Sequence, residues 1–244
     1  MKDICFFCGY EGDDFVPEHW IPKWLSRALI PKHGSMIGHI KGDEIITKRY
    51  FDLTVPHVCR TCNSSWMSDI ETRASENGDV LNLVLAAPKP PLTRKAQAEL
   101  ATWCFLKALA VELPRPAEHT PTFPRAMYAQ FKQDKRPPQH ACSIALGFRT
   151  VSHVERDPVF LWSESQGRVF PIGPAGIGRE TGYLVTILIG HLVIDVAGLL
   201  RPLNAKLNHG DRFVPLWPSL PGQSFQWPPQ PEKRFSGVAD NELI

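Results

Sequence analysis

The chain lacks any strong charge bias: 27 Lys and Arg oppose 25 Asp and Glu across 244 residues, a formal net charge of +2. That near-balance removes bulk charge as an argument for nucleic-acid binding and leaves only local patches to consider. It also lacks a long apolar run. The longest, residues 183–200, is interrupted by His191 and Asp195, which suits buried strands better than a membrane span. The opening residues, MKDICFFCGYEGDD, hold no apolar secretory stretch and turn acidic early. A soluble, cytoplasmic protein with no membrane partner is therefore expected. Hydrophobic content of 43% with 21% charged residues argues against wholesale disorder. The length admits one large domain or two small ones.

Cysteine is also sparse, at 6 residues, but its placement is informative. Cys5-x-x-Cys8 and Cys59-x-x-Cys62 form two pairs, whereas Cys104 and Cys142 stand alone and suit buried small hydrophobes. Without an export signal, paired cysteines favour a metal over disulfides, with redox pairs as the competing use. Thiolates at i and i+3 on a tight turn can face one ion, and two such turns complete a tetrahedral zinc site. Four thiolates leave no open position for water, so such a zinc would hold the fold. A small region without a large core of its own needs such a staple.

Composition divides the chain near LAAPKPPLTRK, a proline-rich connector. Residues 1–88 hold both cysteine pairs, and residues 89–244 hold no comparable cluster. In the first part, IPKWLSRAL suits a short helix and MIGHIKGDEIITKRYFDL a hairpin turning at Gly42-Asp43. NSSWMSDIETRASE reads as a helix capped by Asn63 or Ser64. In the second part, KAQAELATWCFLKALAVEL gives an amphipathic helix whose mostly apolar face includes Lys107. PRAMYAQFKQDK gives another helix, and strands are expected at 143–150, 159–162, 168–172, 184–189 and 192–196. The Pro- and Trp-rich tail is expected to wrap the surface in extended form. The fold class is thus α+β: a small zinc-stapled domain, then a larger α+β domain with antiparallel strands.

The sequence resembles the HNH endonucleases, the ββα-metal family, in their zinc-stapled treble-clef form known from bacteria and phage. The matching residues are Cys5-x-x-Cys8, Glu18-His19-x-x-Pro22 and Cys59-x-x-Cys62-Asn63, spanning residues 3–75. The resemblance implies a metal-dependent DNA endonuclease, with RNA as an alternative substrate, associated with mobile elements or phage defence. It implies His19 as general base, Glu18 and Asn63 as ligands of a catalytic Mg²⁺ or Mn²⁺, and structural Zn²⁺ on the four cysteines. This set suits phosphodiester hydrolysis, because histidine deprotonates water near neutral pH and a hard ion neutralises phosphate charge. Two departures accompany it. No Asn lies between His19 and Asn63, and the segment from His19 to Cys59 exceeds a bare hairpin, which suggests an inserted element.

Other readings stay open at this level. A non-catalytic treble-clef module that binds nucleic acid or a protein partner fits the same cysteines. Glu71, two turns beyond Asn63, reads as a helix-surface carboxylate rather than a site residue. His57, His33 and His39 read as solvent-facing, and Trp20, Trp24 and Trp66 as core. Lys23, Arg27, Lys48, Arg49 and Arg60 are candidate phosphate contacts, as is the KQDKRPPQH stretch. Residues 89–244 are left to target choice, activation, or contact with a protein partner or second copy.

Overall fold

Thr93 opens the central helix: its hydroxyl accepts the Ala96 amide at 3.2 Å, satisfying a free helix N-terminal donor. The run that follows is rich in Ala, Leu and Lys, residues that lose little conformational freedom in a helix. The computed structural model describes residues 3–29, 37–41, 44–48, 54–87, 91–113, 122–140, 142–150, 161–172, 178–201, 207, 209–218, 225–230 and 234–236. In order, the elements are β1 (Glu18–His19), α1 (Lys23–Leu29), β2 (Ile37–Lys41), β3 (Glu44–Lys48), β4 (Thr54–Val55) and α2 (Arg60–Cys62). A π turn, Asn63–Met67, leads into α3 (Ser68–Glu76), α4 (Val80–Val84), the central helix α5 (Arg94–Glu112) and α6 (Arg125–Asp134). The strands β5 (Cys142–Thr150), β6 (Leu161–Ile172), β7 (Gly178–Ile189), β8 (Leu192–Leu199), β9 (Val214–Trp217) and β10 (Arg234–Ser236) follow. The fold is mixed helix and sheet, α+β, with antiparallel sheets.

The main sheet runs β6-β7-β8-β5, with β9 and β10 sharing the outer edge of β5. All pairings are antiparallel except β10 on β5. The apolar run 183–200 forms the β7–β8 hairpin, turning at Gly190-His191, where Gly190 takes φ +57°. Two expected strands, 159–162 and 168–172, merge into β6, with 159 and 160 outside the described residues. Alternate residues, among them Ile144, Leu146, Val185, Ile187, Ile194 and Val196, join the main core. The opposite face buries Thr186 and Asp195, with a hydrogen bond of 2.8 Å between them, and His209 Nδ1 lies 2.5 Å from the same carboxylate.

Helix α5 packs against α3 on one side and against β5, β6, β7, β8 and β9 on the other. It is consequently buried on nearly every face, Lys107 included, rather than amphipathic as its sequence suggests. One hydrophobic cluster extends from Cys5 to Trp227 across both halves of the chain. Phe7 meets Trp66 and Tyr128, and Trp66 meets Phe131, edge-on at 5.3–5.8 Å. The Trp20 indole donates to the Lys107 carbonyl at 3.3 Å. Packing thus runs across the expected division at 88/89; residues 88–90 lie outside the described residues.

The tail differs from its expected surface course. Besides supplying β9 and β10, it buries Phe225 and Trp227, stacked at 6.0 Å, and the Trp227 indole donates to the Leu83 carbonyl at 3.2 Å. In the first half, β2 and β3 pair as the expected hairpin, Lys41 opposite Glu44, while Gly42 and Asp43 lie outside the described residues. Among the described residues, no helix is long and apolar enough to cross a membrane.

Candidate metal centre and adjoining cleft

The first cysteine turn is closed by two backbone bonds, Gly9 N–H to Cys5 O and Cys5 N–H to Tyr10 O, both 2.9 Å. Gly9 takes φ +72°, a left-handed conformation that glycine adopts without penalty. The second turn opens a helix: Cys59 is the N-cap of α2 and Asn63 N–H returns to Cys59 O at 3.1 Å. A bridge between Phe15 and Cys59, with Phe6 N–H on His57 O, joins the two turns. The sulfurs of Cys5, Cys8, Cys59 and Cys62 lie within 4.8 Å of one another, and among the described residues this is the one such cluster. Four soft donors at that spacing fit a tetrahedral ion. A hydrogen bond from Cys62 lowers the Cys5 thiol to about 4, helped by the Cys59, Cys8 and Phe7 backbone and opposed by burial. The same contact and burial push Cys62 up. Cys5 is thus poised as thiolate, the form a metal requires.

Beside this cluster lies an open cleft of about 320 Å³ lined by Glu18, His19, Lys23, Trp24, Asn63 and Glu71 among others. Glu18 and His19 form β1, held opposite Val55 and Thr54 of β4. Between these short strands the chain inserts α1 and the β2–β3 hairpin, which accounts for the long spacing from His19 to Cys59. Burial raises the Glu18 pKa, and the Glu71 charge adds to this. The Lys107 charge, an Asn63 side-chain hydrogen bond and the His19 backbone oppose it.

Asn63 is not a helix N-cap. The helix begins earlier, at Cys59, and passes through Asn63 into a π turn kinked at Ser65 (φ −110°, ψ −108°). Ser64 and Ser65 hydroxyls donate to the carbonyls of Arg60 and Thr61, four residues back, a pattern that bends helices. The kink has a geometric result. In a straight helix Asn63 and Glu71 would stand about 80° apart, but the non-helical backbone at Ser65 breaks that register between them. Both face the cleft.

Glu71 therefore departs from its expected place on the helix surface. Trp103 Nε1 donates to its Oε2 at 2.9 Å, and Lys107 Nζ forms an ion pair with its Oε1. Lys107 and Trp103 belong to α5, so the second half of the chain holds a carboxylate that lines the cleft, which motif spacing did not reveal. The available signal was Lys107 itself, a cation on an otherwise apolar helix face that demands a buried carboxylate. Trp24 lines the cleft half-exposed, whereas Trp20 and Trp66 are core.

His57 lies away from the cleft. It is not on a strand but in a turn at φ +64°, tilted on Phe6 at 5.7 Å and 3.6 Å from Asp3. Arg60 is engaged by Asp14 at 2.8 Å. His33 and Arg49, and the side chains of His39 and Lys48, lie outside the described residues. Cys104 and Cys142 are buried. No family model, curated protein or solved structure matches the chain.

Proposed function

We propose that this protein is a metal-dependent endonuclease of the HNH type that hydrolyses phosphodiester bonds of DNA, its four cysteines holding a structural Zn²⁺ in a treble-clef frame. The observation that carries this is the convergence of the Glu18-His19 pair and Asn63, distant from it in sequence, on one open cleft next to a four-cysteine cluster that includes Cys62. The order short strand, inserted helix and hairpin, short strand and cysteine-opened helix suits a ββα unit with an insertion.

The donor set fits a hard divalent ion such as Mg²⁺ or Mn²⁺, because Glu18, Asn63 and Glu71 all present oxygens. Such an ion, when bound, neutralises phosphate charge and the developing charge on the leaving oxygen. His19 accepts the proton of the attacking water at its imidazole, and Lys23 at the rim meets a flanking phosphate. Glu18 and His19, adjacent on a short extended strand, both line the cleft and serve ion and water from separate positions.

The test is incubation of the zinc-loaded protein with supercoiled plasmid and Mg²⁺ or Mn²⁺, with and without EDTA. Cleavage is expected only without EDTA. His19→Ala should lower the rate roughly 100-fold or more while zinc content and circular dichroism stay unchanged. Full cleavage by His19→Ala removes the histidine from its role. Tight DNA or protein binding with no metal-dependent cut would instead favour a non-catalytic zinc module.

A further inference from the structure

Lys107 carries more than packing. It is 1% exposed, and a lysine so buried requires an anionic partner. Glu71 supplies that partner, while the ammonium also stands 5.9 Å from the Trp103 ring centroid. The Trp103 indole holds the second oxygen of Glu71. Both Glu71 oxygens are thus engaged by α5, and the Lys107 charge extends to Glu18 as well. Two cleft carboxylates, formally −2, share one internal cation.

We infer that Lys107 is the buried counter-cation behind the cleft, and that a divalent ion binds in the cleft in competition with its ammonium for Glu71. This rests on the metal-site reading of Glu18 and Asn63 given above. A dication and an ammonium on one pair of half-buried carboxylates leave an excess positive charge in a medium that screens poorly, so binding of the first weakens the hold of the second. Because Lys107 belongs to α5, packed between the cysteine-bearing half and the sheet, ion loading is tied to the helix that joins the two halves. The residues after 88 would then set ion affinity.

Mn²⁺ titration of the zinc-loaded full chain, read by the electron paramagnetic resonance of free Mn²⁺, tests this without reference to activity. Lys107→Met is expected to tighten Mn²⁺ binding roughly tenfold or more through loss of the competing charge, and Glu71→Gln to weaken it. Should Lys107→Met fail to fold, Lys107→Gln keeps an N–H donor for Glu71 without the charge and carries the same expectation. Glu18→Gln, made alone and with Lys107→Met, separates the two levels. If Glu18→Gln abolishes Mn²⁺ binding but neither Lys107 variant tightens it, the competition is wrong and the metal site stands. If no variant shows a Mn²⁺ site sensitive to Glu18, both fall.

Discussion

Single residues in this protein are defined by what burial forces on them. Cys142 lies against Tyr183 beneath the sheet, and desolvation pushes its thiol from 9.0 up to about 12, with a Tyr183 hydrogen bond acting the other way. A folded-state pKa above the unfolded one contributes stability fully below pH 9 and loses it as pH climbs through about 12. Wild type should therefore lose stability across that alkaline window more steeply than Cys142→Ala, as measured by urea midpoints at stepped pH. At residue scale Glu18, His19 and Asn63 line one cleft, and the four-cysteine cluster was legible, because spacing around a metal is a local constraint. Glu71 and Lys107 were not. Each looked ordinary on its own helix, and only the tertiary approach of α3 to α5 makes them a pair.

Elements here depart from regularity where function is proposed. The kink at Ser65 after Cys62 is the clearest case, lying between Asn63 and Glu71, which both line the cleft. NSSW reads as the start of one regular helix, and a kink at a single residue, Ser65, is too small a signal to read from spacing alone. The cysteine turns are equally short: neither Ile4–Glu11 nor Phe15–Cys59 makes more than a single bridge. Such elements have little cooperative strength of their own. Stripping metal with a strong chelator under reducing conditions should accordingly raise amide exchange across 3–19 and 54–76, while the β7–β8 hairpin stays protected; deuterium uptake by mass spectrometry reads both. Cys62→Ser should reproduce the pattern without chelator.

At the scale of the whole molecule, the proline connector suggested two units, yet the buried side chains form one cluster. Proline content reports on local backbone freedom, whereas core continuity depends on which apolar faces meet, and the faces of α5 meet both halves. A fragment of residues 1–88 should therefore give a poorly dispersed NMR spectrum even with zinc, because Phe7, Trp20 and Trp66 lose α5 and α6 as partners. Trp227 reaches back 144 residues to Leu83. Trp227→Ala should cost about 3–5 kcal/mol in chemical denaturation, the range for deleting a buried large aromatic.

The seating of β9 and β10 on one side of β5 has a consequence for the order of events in synthesis. When β8 has emerged from the ribosome, β5 can pair on its β8 edge alone, and its other row of N–H and C=O groups has no partner until β9 and β10 arrive. During that interval a nascent chain presents a template to which a strand of another copy can add. Once β9 is in place, Pro215 opposite Ala145 offers no N–H, so the finished border is a poor one on which to continue.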